Sequence, residues 1–336
     1  MSPRITHPKN KIERPAKSSS GKDSESSTIV SWRVLRIVIA ISLLVLLATQ
    51  INLSYTLDVL ADLRWELVAA VVALLFLARV IAAYRWYALL KQVGSAIQFG
   101  NIVRLVFVSG FVGYFMPGTL GIEALRIYGF ARTTANAALA VTSVAVDRVL
   151  GTFALMLLAL AGLPFLPDVL PAGVAYVGWV GLLLLAAAVV ASLEPRLRRL
   201  ALHLLSPFQL AQGGLRKVFG ILDAYRARPW ALLWSALVAV GFHLLRCAAV
   251  GIGAAAFGVH LPAVVYVTIT PLITMLARIP ISIAGLGVQE AGFVYFYGVF
   301  GMPAGVALLL SLLIRACTIL SVTPGAWLYI VRGIRA

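Results

Sequence analysis

The sequence predicts an all-α polytopic bundle of transmembrane helices, and three observations lead there. Apolar residues make up 61% of the chain and charged residues only 12%, far from the balance of a soluble globular domain. Apolar stretches recur at 34–52, 67–90, 139–163, 174–193, 230–257 and 304–330, each near or beyond the roughly 20 residues an α-helix needs to cross about 30 Å of hydrocarbon. No segment shows the short apolar–polar alternation between turns that a membrane β-barrel requires.

Taken in order, residues 1–33 are rich in Ser, Lys and Pro and poor in apolar groups, which predicts a disordered basic tail before a membrane domain at 34–336. So long a polar tail, with no small-residue cleavage site, makes 34–52 a retained span rather than a signal peptide. The connection after it carries Asp58, Asp62 and Glu66 against Arg64, whereas the loop 194–229 holds Arg196, Arg198, Arg199, Arg216, Lys217, Arg226 and Arg228. By the positive-inside rule the N-terminus and that loop are cytoplasmic. With Arg332 and Arg335 also inside, this topology of about seven to eight spans closes if 103–132 enters and leaves on the cytoplasmic side. It also needs both 262–279 and 286–300 to cross, although 286–300 reaches only about 22 Å, so that it is either a half-depth helix or sits where the bilayer or a water-filled cavity is thin. Within the long loop, Leu197, Leu200, Leu204 and Leu205 recur at helical spacing beside arginines, which suits a helix in the headgroup layer or an ordinary surface helix.

The net charge of +16 is spread over tail, loop and helix ends, which argues against nucleic acid and for anionic lipid as the partner. Cys247 and Cys317 each lie in an apolar span without metal-ligand spacing, so packing is their expected role. No cofactor and no metal site is expected.

Two segments interrupt the apolar pattern. In the first, Pro117, Gly118 and Gly121 break a helix just before Glu123 and Arg126. In the second, Arg278 precedes Pro280, Ser282, Gly285, Gly287 and Glu290, and Leu286-Gly287 followed by Glu290-Ala291 repeats Leu120-Gly121 followed by Glu123-Ala124 with one extra residue. Broken helices at corresponding places in two halves point to a transporter's binding site, because unwound backbone at membrane depth is tolerated only where protein buries it or a wet cavity receives it. A helix that restarts after such a break also aims free N–H groups at the cavity, a place suited to phosphate.

Of the twelve acidic residues only Glu123, Asp147 and Glu290 lie in or beside apolar segments, which marks them as candidate functional groups. Glu123 and Arg126, three apart, share a helix face and can pair with each other. Asp147 and Arg148 point about 100° apart, so their partners belong on other helices. Glu290 reads either as a buried carboxylate neutralised by Arg278 or protonated, or as a ligand- or proton-linked switch. The embedded cations are all Arg: Arg85, Arg104, Arg126, Arg148, Arg246, Arg278 and Arg315, with Arg79 beside them. Guanidinium forks suit phosphate, while snorkelling to the headgroups is the competing role, stronger for Arg79 and Arg85. His243 shares a face with Arg246 and reads as a packing residue.

These residues resemble the flippase-like transmembrane family represented by the membrane domain of lysylphosphatidylglycerol synthase. The resemblance spans roughly 37–331 and rests on Arg85-Trp86-Tyr87 with Leu89-Leu90, Pro117-Gly118 with Gly121 and Arg126, Asp147-Arg148, and Ile279-Pro280-Ile281-Ser282 through Gly285-Leu286-Gly287-Val288-Gln289-Glu290. Ile279, Ala284 and Asp147 depart conservatively from the family's usual Leu, Gly and Glu. The resemblance implies an inner-membrane protein with re-entrant helices, linked in some members to moving aminoacylated phospholipids or lipid-linked sugars between leaflets. With no soluble transferase domain in the sequence, aminoacylation is not expected.

Three functions remain open at this stage. A lipid translocator would bring a headgroup to Arg126, Arg148 and Arg278, with Glu123, Asp147 and Glu290 competing for the same arginines and Pro117, Gly121, Pro280, Ser282, Gly285 and Gly287 shaping the site. Its ligand would be a membrane phospholipid or a polyprenyl-linked lipid, and its partners a second copy of the chain or a lipid-synthesis enzyme. An intramembrane lipid-modifying enzyme would need Asp147 or Glu290 as base, but no clear catalytic constellation accompanies them. A non-transporting lipid-binding partner of a synthase is the third.

Overall fold

The computed structural model describes residues 61–114, 120–166, 178–184, 209–278 and 285–332, with single positions elsewhere between 173 and 196. The predicted tail, the span 34–52, most of 174–193, Leu197 to Leu205, and Pro117, Gly118, Pro280 and Ser282 lie outside the described residues. Among the described residues every regular element is helical: α1 Trp65–Gln92, α2 Phe99–Tyr114, α3 Leu120–Thr134, α4 Ala137–Gly162, α5 Gln209–Arg226, α6 Pro229–Ala256, α7 Ala263–Arg278, α8 Val288–Gly292, α9 Ala304–Val322 and α10 Pro324–Arg332. Four helices, Trp65–Gln92, Ala137–Phe165, Pro229–Ala256 and Ala304–Val331, are long and apolar enough to cross a membrane. Exposed Trp65 at one end of the bundle and exposed Trp230 and Trp234 at the other place amphipathic rings where headgroup layers would lie.

Local chemistry sets the helix ends. The Asn136 side chain accepts the Leu139 N–H at 3.0 Å and caps α4. Pro229 opens α6 at the position where its missing N–H is harmless. Gly258, at φ 76°, stops α6 in the left-handed conformation that lets its N–H reach the Ala255 carbonyl.

The centre of the bundle is the antiparallel pair α1 and α6. The Arg64 N–H donates to the Ala256 carbonyl at 3.2 Å at one end, and the Gln92 side chain donates to the Ala231 carbonyl at 3.1 Å at the other. Two apolar cores flank this seam. One joins α1, α6, α7, α9 and the 293–297 turn through Val71, Val250, Ile269, Tyr297 and Leu310, and the other joins α1 to α2, α3 and α4 through Trp86, Ile102, Phe130 and Val144. The free thiols of Cys247 and Cys317 are buried.

Between α1 and α4, helices α2 and α3 form an antiparallel hairpin that brings Gly113 against Ile122 near its tip. Between α6 and α9 a second hairpin forms: α7 ends at Arg278, the described chain resumes at Gly285, and α8 continues as a π-helical turn over Phe293–Tyr297. Its two arms are antiparallel, because Tyr266 meets Tyr297, Ile273 lies beside Gly292, and Ala277 lies beside Gly285. The segments 262–279 and 286–300 thus lie side by side. The returning arm, 288–297, reaches only about 15 Å, half the hydrocarbon thickness, and it ends beside the start of its own partner.

The described chain therefore contains the order span, hairpin, span twice, as α1, α2–α3, α4 and again as α6, α7–α8, α9. Because α1 and α6 are antiparallel, the second copy is inverted relative to the first. The last predicted span, 304–330, is bent at Thr323–Pro324, which turns α10 onto α2. A Cβ at Gly325 would collide with the backbone carbonyl of Phe107. Gly325→Ala should accordingly destabilise the protein by about 1–3 kcal/mol through overpacking, read as a lower thermal midpoint in detergent, whereas Gly241→Ala, in open space, should leave it unchanged.

Candidate functional site

Each hairpin carries one carboxylate on its returning arm, and each carboxylate is bound by an arginine of the span that follows. Arg148 of α4 donates to Glu123 of α3, 25 residues away. Arg315 of α9 donates to Glu290 of α8 at 2.9 Å, also 25 residues away. The surroundings of the two pairs differ. Glu123 and Arg148 are 24% and 35% exposed, whereas Glu290 is fully enclosed and Arg315 is 11% exposed. Glu290 is held further by the Gly287 N–H, which donates to its second oxygen at 2.7 Å, while Arg315 also reaches the Gly285 carbonyl at 3.4 Å. Gly285 and Gly287, at φ 72° and 81°, supply the left-handed backbone that folds this tip around the carboxylate.

Asp147 forms a third centre. It accepts from Arg85 of α1 at 2.7 Å on one oxygen and from Arg126 of α3 at 3.1 Å on the other, and it is buried. The Arg126 guanidinium lies over the Trp86 ring at 4.2 Å, and the Trp86 indole donates to Ser143 of α4 at 3.2 Å. One carboxylate thus ties three elements together through two cations and a cation–π contact. Gly151 of α4 leaves room for the Arg85 guanidinium, and the neighbouring Gly151 carbonyl bonds His243 at 3.0 Å, which gives His243 a packing role between α4 and α6. Tyr225, at the end of α5, is buried within electrostatic reach of Asp147, and burial pushes its phenol up.

Three arginines at this level have no carboxylate. Arg278 ends α7 and donates to the Thr152 hydroxyl of α4 at 3.0 Å. Arg246 of α6 lies 6.0 Å from the Phe242 ring centre. Arg79 stands midway along α1, within electrostatic reach of Arg246. All three are half-buried, and among the described residues none of them makes an ion pair. Beyond Arg278, on the outer part of α4 and α7, Met156, Leu160, Leu272, Met275, Leu276 and Phe296 line an open apolar groove of about 420 Å³.

Several expected pairings change. Arg126 binds Asp147 rather than Glu123, because the hairpin carries α3 across α4 and turns the two faces to different partners. Glu290 is neutralised by Arg315 rather than Arg278, since α7 aims its last residue at α4. Arg85 does not snorkel: Asp147 holds it inside. Gly121 lies in the first turn of α3, near the hairpin tip. That Arg79 and Arg246 come within electrostatic reach of each other across the packed α1 and α6 was not legible in either local segment. Among the described residues no group of three His, Cys, Asp or Glu is placed to hold a metal.

Residues 33–325 match the sequence pattern of the family described as the lysylphosphatidylglycerol synthase transmembrane region. The chain belongs to that family. No curated protein and no solved structure matches it. The synthase-type membrane region is a multi-pass helical domain, and its geometry here gives the Arg85-Trp86 motif and the Asp147-Arg148 motif one shared physical meaning. Arg85, Trp86 and Asp147 lock α1, α3 and α4 around a single buried charge, while Arg148 reaches across to the first hairpin.

Proposed function

We propose that this synthase-type membrane domain is a lipid translocase of the inner membrane, with its N-terminus in the cytoplasm and its two hairpins re-entrant from opposite faces. The observation that carries the reading is the unequal state of two equivalent carboxylate–arginine pairs. Glu290–Arg315 is sealed, while Glu123–Arg148 is partly open to solvent. In an inverted repeat the alternative state exchanges these two environments, which is the structural requirement for access from alternate sides. The arginines that make no ion pair among the described residues favour an anionic headgroup, and the apolar groove beside Arg278 offers a path for acyl chains. An aminoacylated phospholipid fits the same arrangement through its phosphate.

Purified protein in liposomes with headgroup-labelled fluorescent lipids tests this by following leaflet exposure while the lipids are checked for chemical change. Movement faster than in empty liposomes, without turnover, is expected for at least one of phosphatidylglycerol, its aminoacylated form and a polyprenyl-linked sugar. Arg278→Ala should slow that movement about tenfold or more, by removing a charged hydrogen-bond donor, at unchanged folded yield. Background rates for all three lipids would sink the translocase reading.

A further inference from the structure

We propose that Arg79 and Arg246 together form a two-pronged receptor for a phosphate group at the seam between the two halves. The inference deepens the translocase reading, since it assigns the headgroup a binding position and a chemistry.

The argument begins with position. Arg79 precedes Arg246 by the same number of residues as Glu123 precedes Glu290 and Arg148 precedes Arg315. The two arginines are therefore counterparts in the inverted repeat, on the two helices that pack against each other along their whole length. Each lies several turns from both ends of its helix, too deep for its charge to rest in either headgroup layer without a long reach.

The second step is charge. The carboxylates Glu123, Asp147 and Glu290 are already matched to Arg148, to Arg85 with Arg126, and to Arg315. Arg79 and Arg246, on packed helices and within electrostatic reach of each other, make no ion pair among the described residues, and Arg278 lies within electrostatic reach of Arg246. Like charges brought together in a medium of low dielectric repel strongly, so the arrangement needs an anion between them. Two planar forks present more donors than one carboxylate can accept, and they match the several oxygens of a phosphate. Both side chains are half-buried, hence shielded from bulk water yet reachable. Tyr114, at the tip of the first hairpin, is within electrostatic reach of both arginines, so ligand at the seam and movement of that hairpin are adjacent events.

The test is calorimetric titration of detergent-purified protein with three probes: dihexanoyl phosphatidylglycerol, inorganic phosphate and uncharged dihexanoylglycerol. The phospholipid should bind saturably, Arg79→Gln and Arg246→Gln should each weaken it about tenfold or more, and the double variant should abolish it. Competition by inorganic phosphate would show that the phosphate alone suffices, and competition only by phospholipid would show that the headgroup and glycerol add to it. Equal binding of the uncharged lipid, or wild-type affinity in a double variant with an unchanged thermal midpoint, overturns the proposal. Should the glutamine variants fail to fold, Arg79→Lys and Arg246→Lys keep the charge and lose the fork, and undiminished affinity in both overturns it equally. Liposome transport on the same preparations separates the two readings. Binding at the pair with no lipid movement by the wild type leaves the receptor and removes the translocase, whereas movement with binding indifferent to both arginines does the reverse.

Discussion

Asp147→Asn is expected to be the most damaging single substitution in the first half of the protein, with folded yield falling sharply and stability dropping by about 3–5 kcal/mol. The reason is charge, not volume. Asn has nearly the shape of Asp, so packing survives, but Arg85 and Arg126 would then share a buried site with no counter-charge. One of the two oxygens that now accept from Arg85 and Arg126 would become an NH2 donor facing a guanidinium, the other would remain only a neutral acceptor, and the guanidiniums cannot shed their protons. Asp147→Glu keeps the charge in a longer side chain and should be much milder, with a loss of about 1–3 kcal/mol from crowding. Arg85→Gln combined with Asp147→Asn should recover part of the loss by leaving one cation, over Trp86, in place of two. Thermal unfolding in detergent, followed by retention of the monodisperse species, ranks these variants. Asn and Glu replacements of equal severity would mean that shape rather than charge holds the three helices.

The spans that could be read from the sequence are those whose apolar runs leave no choice of solvent. Residues 67–90 and 230–257 became α1 and α6 with boundaries shifted by only one or two residues. The hairpins were legible as breaks, because a proline followed closely by glycines disfavours a continuous helix, but their closure was not. Whether 286–300 crosses or turns back depends on Tyr297 meeting Tyr266 and Thr270, contacts that no local pattern encodes. The embedded carboxylates were legible for a similar reason, since charge at membrane depth is rare. Their partners were not. Glu123 had an arginine three residues away and took one 25 residues away, because the helix that follows a hairpin packs against its returning arm. The repeated separation was present in the sequence throughout, but it acquires meaning only when α1 and α6 are seen to be antiparallel and equivalent.

Glu290→Gln is the corresponding expectation for the second half, and comparison with Glu123→Gln gives it its force. The two carboxylates occupy equivalent places, so a uniform role would produce uniform effects. Their environments predict otherwise. Glu290 is fully enclosed and accepts from both Arg315 and the Gly287 N–H, so its neutralisation strands a cation and loosens the 285–287 turn, at a cost of about 3–5 kcal/mol. Glu123 and Arg148 are partly solvated, which limits the loss there to about 0–1 kcal/mol. Removing both members of the enclosed pair, as Glu290→Gln with Arg315→Gln, should restore much of the stability. It should not restore lipid movement, because the second hairpin would keep no charged latch to exchange with the first. Unfolding midpoints and liposome transport measured on the same samples make the distinction. Full transport in the stable double variant would reduce Glu290 and Arg315 to packing, and equal losses of stability in Glu123→Gln and Glu290→Gln would show that the two pairs share one environment in solution.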